Sequence, residues 1–265
     1  MGKIIDDSIK IDNTEIQYVA FGKGSENLVM IPGLGDGLKT VKGTGFLLSM
    51  LYKQFAKRYR VHVFSRRNIL PEGFSTRDMA ADLNYCLNKL SLNKINLLGI
   101  SQGGMISQFF AIDYQEKLKK LIIAVSLSRP NATSRQVIKS WHDMAKRKQF
   151  KALTIDTMEK TYVGKRLKKY RWVYPFAGLI GKPKSVNRFL IQANACLYHN
   201  AYDELNTITV DTLVVGGLKD KIVGSKAAAE MAERIPNSRL IEYPELGHGA
   251  SDEKVFIEDA IRFLG

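Results

Sequence analysis

The sequence predicts an α/β protein built on a mostly parallel sheet. Three observations predict it: short continuous β-branched runs, helix-patterned stretches between them, and one long segment, 129–200, with no convincing strand. Continuous apolar runs suit strands buried on both faces, and strands separated by helices pair in parallel.

Taken in order, Ile9–Ile11 and Ile16–Val19 suggest an antiparallel hairpin that precedes the parallel part. Leu28–Ile31, Val61–Phe64, Ile95–Leu98, Leu121–Val125, Thr212–Val215 and Arg239–Tyr243 read as the parallel strands. Between them, Thr76–Leu90 places Met79, Leu83, Cys86, Leu87 and Leu90 three or four residues apart, the period of an amphipathic helix. Ser75 with Asp78 forms a variant capping box at its start. Gln102–Tyr114, Ser225–Arg234 and Asp252–Leu264 are three further helices, and Arg135–Phe150, Lys151–Tyr162 and Ser185–His199 are helical stretches of the strandless segment. That segment reads as a helical cap, so the expected organisation is a core of 1–128 and 201–265 with a cap of 129–200.

With 45% hydrophobic and 25% charged residues among 265, the composition excludes a disordered or fibrous chain. No apolar run approaches the ~18 residues of a membrane span, and Met1 to Lys10 lacks the apolar core of a secretory signal. Cys86 and Cys196 lie far apart, without metal-ligand spacing, so reduced thiols and a cytoplasmic location are expected and no metal is. The charge is uneven. Of the net +14, residues 129–200 carry +13, from 16 Lys/Arg against 3 Asp/Glu.

The strongest chemical signal is Gly99-Ile-Ser101-Gln-Gly103-Gly104, a G-x-S-x-G pattern set between a strand and a helix. A sharp turn there exposes the Ser101 hydroxyl, and glycines at 99 and 103 leave space where a Cβ would collide. The helix start and the Gln102 N–H then face the point where negative charge develops on a reacting carbonyl. A serine needs a base. Of four histidines, His62 falls within a strand and His142 and His199 within the cap; His248, in a glycine-flanked loop after the last strand, suits the order Ser…Asp…His. Asp220, beyond the strand Thr212–Val215, is the expected acid, because the stretch after the preceding strand, Val125–Pro130, has no carboxylate. Glu245 and Asp252 are expected to carry loop charge or cap a helix. Leu34, in the glycine-rich loop Pro32-Gly-Leu-Gly-Asp36, is expected to supply a second backbone donor, with Asp36 bracing the loop. That loop has neither a dinucleotide nor a phosphate-loop pattern, so no cofactor is implied.

Together, Pro32–Asp36, Ser75–Leu83, Gly99–Gly104, Gly217–Asp220 and Gly247–His248 resemble the α/β-hydrolase superfamily along essentially the whole chain, nearest to its capped single-domain esterases, lipases and enol-lactonases. The resemblance implies the α/β-hydrolase fold, with a central sheet flanked by helices and an inserted helical cap. It also implies a serine hydrolase that cleaves a carboxylic ester through an acyl-enzyme, acting on a small-molecule ester or an acyl-lipid. Enol-lactone opening, C–C bond hydrolysis and cofactor-free perhydrolysis are alternatives at the same residues, and a ligand-binding protein is the non-enzymatic one. Two departures stand out. Pro32 replaces the His of a His-Gly oxyanion motif, and Ser65-Arg66-Arg67-Asn68 replaces Asp-x-Arg-Gly, where a reshaped outer wall of the pocket is expected. In the cap, Trp141, Tyr162 and Trp172 are candidate substrate contacts. The Lys165–Arg171 cluster beside the apolar run Trp172–Ile180 is expected to meet an anionic membrane surface, if it is more than a solvated face. Without a recognisable module, nucleic acid is not an expected partner.

Overall fold

The computed structural model describes residues 2–177, 183 and 185–265; the end of the apolar run at 178–180 lies outside them. Eight strands form one sheet: β1 (Ile5–Ile11), β2 (Thr14–Phe21), β3 (Glu26–Ile31), β4 (Tyr59–Arg67), β5 (Ile95–Ile100), β6 (Leu118–Ala124), β7 (Thr212–Gly217) and β8 (Ser238–Tyr243). Their order is β1-β2-β4-β3-β5-β6-β7-β8, antiparallel at β1/β2 and β2/β4 and parallel from β4 to β8. The chain runs from β3 outward to β4 on one side and from β5 outward to β6 on the other. β3 and β5 therefore flank a topological switch point, where a crevice opens beyond the strands' carboxyl ends.

Each strand foreseen from the apolar runs is present, and several are longer than the runs. β4 extends past Phe64 through Ser65, Arg66 and Arg67, because all three find buried partners: Ser65 Oγ accepts from the Val41 N–H, the Arg66 N–H donates to Asp36 Oδ2 at 3.1 Å, and Arg67 donates twice to Asp82 at 2.6 Å. Among the described residues the α-helices are α1 (Gly45–Leu51), α2 (Lys53–Ala56), α3 (Thr76–Lys89), α4 (Gln102–Tyr114), α5 (Ala132–Lys146), α6 (Phe150–Thr161), α7 (Gly164–Arg171), α8 (Val186–Tyr198), α9 (Ala227–Arg234) and α10 (Lys254–Leu264). At α3 the Ser75 Oγ accepts from the Asp78 N–H, and Asp78 Oδ2 accepts from the Ser75 N–H, the reciprocal cap read from the sequence. α1 and α2 have no periodic signature; Phe46, Leu47, Met50 and Leu51 of α1 are at least half exposed.

The core lies on both faces of the sheet. One side packs Met79, Leu83, Cys86 and Leu87 of α3 with Ile106 and Phe110 of α4, and the other packs Phe55 and the α10 residues Phe256 and Ala260. A third cluster joins Leu34 and Met105 of the core to Trp141, Leu153, Phe189 and Cys196 of the helices between β6 and β7. Those helices close over the carboxyl ends of the central strands, and no strand occurs among their described residues.

Two buried histidines make the fold acid-sensitive. His62 Nε2 lies 3.0 Å from Asn27 Oδ1, and burial lowers its pKa to about 4. His199 packs edge-on against Phe109, with Nδ1 2.9 Å from Thr76 Oγ1, and burial lowers its pKa to about 3. Unfolded, both take up a proton near pH 6.5; folded, neither does so until much lower pH. Unfolding therefore binds protons in this window, and stability falls as pH drops from about 7 towards 4, by up to ~1.4 kcal/mol per pH unit per group. Guanidinium unfolding of a His62→Gln/His199→Gln variant at pH 7, 6 and 5 should show a shallower loss than the wild type; parallel slopes would refute the assignment.

Candidate active site

Ser101 stands immediately after β5, between that strand and α4, with φ 55° and ψ −118°. A non-glycine residue with positive φ costs free energy and persists only where its surroundings hold it. Here they do. The Ser101 N–H donates to Ala124 O, and its carbonyl accepts from Ser126 Oγ at 2.8 Å. The turn also needs empty space: a Cβ on Gly103 would collide with the Ile31 carbonyl, and one on Gly99 with the backbone of Gly103. β3, β5 and α4 meet where only hydrogen fits.

The strained turn presents the Ser101 hydroxyl to His248. His248 Nε2 lies 2.9 Å from Ser101 Oγ, and His248 Nδ1 lies 2.7 Å from Asp220 Oδ2. The other Asp220 oxygen accepts from the Ile222 and Val223 N–H groups at 2.7 and 3.0 Å, so the carboxylate is held from both sides in a nearly solvent-free position. His248 opens a short 3₁₀ turn, His248–Asp252, and Gly249 lets that turn pass under the Tyr162 ring, where a Cβ would stand 2.7 Å from a ring carbon. Glu245 pairs with Lys219 at the surface, and Asp252 accepts from the Tyr162 hydroxyl at 2.9 Å. Asp252 does not cap α10, whose N-terminal neighbour is Glu253.

Across the crevice, Leu34 begins a 3₁₀ turn, Leu34–Gly37, after Pro32 and Gly33 at the end of β3. Gly33 passes so close to Ser101 that an added Cβ would stand 3.2 Å from the Ser101 Cβ. Gln102 supplies the first amide of α4, which has no acceptor within its helix. Ser101 lines an apolar cavity of about 20 Å³ with Leu34, Met105, Ile138, Trp141 and Val223. Trp141 is fixed there by its indole N–H, which donates to Asp156 at 2.6 Å. Cys196 lines the same cavity, and burial pushes its thiol up to about 12, so it stays protonated.

Two expectations need correction. Trp172 is 85% exposed and does not line the Ser101 cavity, because the short basic helix before it turns its end to solvent. The Arg66–Arg67 pair does not form an outer wall. Arg66 is buried and points under the loop after β3, and Arg67 is drawn aside by Asp82 and Asp12. Arg188, Gln192 and the Gln102 side chain are residues at this site that sequence reasoning missed, and Arg66, expected in an outer wall, belongs with them. Asp36 Oδ2 is shared by Arg188, the Arg66 N–H and Gln192, and Gln102 Nε2 donates to the Gln192 carbonyl at 2.8 Å. A legible signal exists: Arg188, Gln192 and Cys196 recur every four residues on the face that α8 buries.

Residues 26–255 match the family model described as the alpha/beta hydrolase fold, and the chain belongs to that family. It is 24% identical over 259 residues to RutD of Caulobacter segnis, described as a candidate carbamate hydrolase, covering 91% of this chain and 92% of RutD. It superposes on an esterase from Exiguobacterium antarcticum with a TM-score of 0.80 at 21% identity, covering 100% and 99% of the two chains. It superposes on the enol-lactonase from Burkholderia xenovorans LB400 with a TM-score of 0.82 at 16% identity, covering 97% and 99%. At these identities the two structures establish the fold.

The space around the turn gives a direct test. Gly103→Ala should abolish soluble expression or lower the melting temperature by more than 10 °C (roughly 2–4 °C per kcal/mol for a chain this long), because a carbonyl blocks the new methyl. Gly35→Ala, where no atom lies within 4 Å of an added Cβ, should melt close to the wild type.

Proposed function

We propose that this chain is a serine hydrolase that cleaves a carboxylic ester through an acyl-enzyme. The observation that carries this reading is the continuous Asp220–His248–Ser101 chain of 2.7 and 2.9 Å contacts, ending on a hydroxyl held in a strained turn at a helix N-terminus. A carboxylate accepts, so the proton sits on His248 Nδ1 and Nε2 is free to take the Ser101 proton. Ser101 Oγ attacks the ester carbonyl, and the Leu34 and Gln102 N–H groups receive the oxyanion. His248 then protonates the departing alkoxide, and the same base activates water to release the acid. No step requires a cofactor.

The narrow apolar cavity beside Ser101, which Trp141 also lines, favours a short acyl group. Carbamate, enol-lactone and C–C bond hydrolysis, and perhydrolysis, share this nucleophile and differ in what the crevice holds. A panel of p-nitrophenyl esters decides the class: acetate should exceed octanoate in kcat/KM by about tenfold or more, the scale on which pockets discriminate chain length. Ser101→Ala should abolish turnover and fluorophosphonate labelling, while Asp220→Asn should lower kcat by about 10³-fold or more through loss of the imidazolium partner. Asp252→Asn should retain most activity. Full labelling of Ser101→Ala, or equal effects of the two Asp variants, would overturn the reading.

The basic segment supports a partner as well as a reaction. Lys165, Lys168 and Lys169 of α7 are exposed beside Trp172 and Phe176, the latter 59% exposed, whereas Arg166 is engaged by Glu253. We propose that this face makes transient contact with an anionic membrane surface. Replacing the three lysines by Gln should weaken sedimentation with phosphatidylglycerol vesicles, at ~1 kcal/mol per basic residue near the membrane, and leave hydrolysis of a small neutral ester unchanged. Equal binding at low salt would reduce the segment to a solvated surface.

A further inference from the structure

We propose that Arg66 is a positioning residue of the oxyanion hole, holding its two halves in register from behind. The inference rests on the ester-hydrolase reading and concerns how this chain builds the hole with proline at position 32. One guanidinium nitrogen, Nη2, uses one hydrogen on Gln102 Oε1 at 2.8 Å and shares the other between the Pro32 carbonyl and the Gly33 carbonyl at 3.4 Å. The two carbonyls belong to the loop after β3, and Gln102 is the residue after the nucleophile. Arg66 is thus the side chain that grips both loops from which the hole's amides come.

The geometry of the peptide explains what this grip does. The Gly33 carbonyl and the Leu34 N–H belong to one trans peptide, so they point in opposite directions. A cation holding the carbonyl on the buried side aims the N–H at the crevice, and it polarises the amide into a better donor. On the other half, the Gln102 side chain is pinned between Arg66 and the Gln192 carbonyl, which fixes the residue whose N–H faces Ser101's substrate.

The charge is also placed to act at a distance. Arg66 and Arg188 share the single carboxylate of Asp36, so this buried group carries a net positive charge. The Arg66 side chain is 3% exposed, and its Nε has no hydrogen-bond partner. Burial lowers its pKa to about 10, which leaves it protonated at neutral pH. A net positive charge away from water favours the state in which negative charge appears on the substrate oxygen over the neutral ester.

The test separates this role from a structural one. Arg66→Met, Arg66→Lys and Gln102→Met are compared with the wild type in kcat and KM for p-nitrophenyl acetate, in the second-order rate of fluorophosphonate labelling, and in melting temperature. Phosphonylation passes through the same oxyanion and does not depend on the natural substrate. Arg66→Met and Gln102→Met should each lower kcat and the labelling rate in parallel, about 10- to 100-fold, somewhat below the loss of a direct oxyanion donor, with KM within about threefold. Arg66→Lys, which keeps the charge and one donor, should recover at least part of both rates. The double variant should be no worse than the poorer single one, because the two changes cut one link. If Arg66→Met does not fold, the Lys and Gln102 variants carry the test. A rise in KM with kcat intact, a fall in kcat without a fall in labelling, or variants within twofold of the wild type would overturn the assignment. A wild type that is neither labelled nor active would instead overturn the ester-hydrolase reading, and this inference with it.

Discussion

The site depends on one backbone constraint, the left-handed conformation of Ser101. At φ 55° the chain reverses from β5 into α4 within a residue, and the hydroxyl is lifted clear of both. The turn is affordable because strand pairing, the Ser126 hydroxyl and the packing of Gly99, Gly103 and Gly104 hold it from every side. Strain recurs next to it: Val125, a β-branched residue, has φ 46° where β6 ends. β5 and β6 give up backbone comfort at their carboxyl ends, beside the crevice.

A second constraint is electrostatic. Asp36, Arg66 and Arg188 are removed from water, and isolated charges so placed would cost several kcal/mol each. They are tolerated because the fold supplies carbonyls as well as the carboxylate. Arg188 donates to the Arg66 and Arg67 carbonyls at 2.9 and 2.8 Å and to the Asp36 carbonyl. The network joins three parts of the chain: the loop after β3, the end of β4 and helix α8. It ties the helices that cover the crevice to the loop bearing Leu34, so the cover and that loop are mechanically one unit.

Much of this was legible in the residues. Ser101, His248 and Asp220 are legible because each follows a strand in a loop, because the other histidines fall in a strand or the cap, and because Val125–Pro130 has no carboxylate. The capping box at Ser75 was equally visible, since a cap is local chemistry three residues long. α1 escaped notice because Gly45–Leu51 is apolar but for Ser49, so no polar face marks the helical period.

By itself, the sequence determined the strands and the long helices between them, the strandless reading of the basic segment and the three residues of the Asp–His–Ser chain. All of these follow from local periodicity and from short motifs whose spacing carries the chemistry. Only the tertiary structure decided what Arg66 and Arg188 do and which aromatic of the helical segment meets the cavity. Arg66 and Gln102 are 36 positions apart, and Arg188 and Asp36 are 152 apart. No periodicity reports such pairings, because they arise when strand order brings distant loops to the same end of one sheet. Burial then turns charges that would be solvated on an open chain into the scaffold of the site.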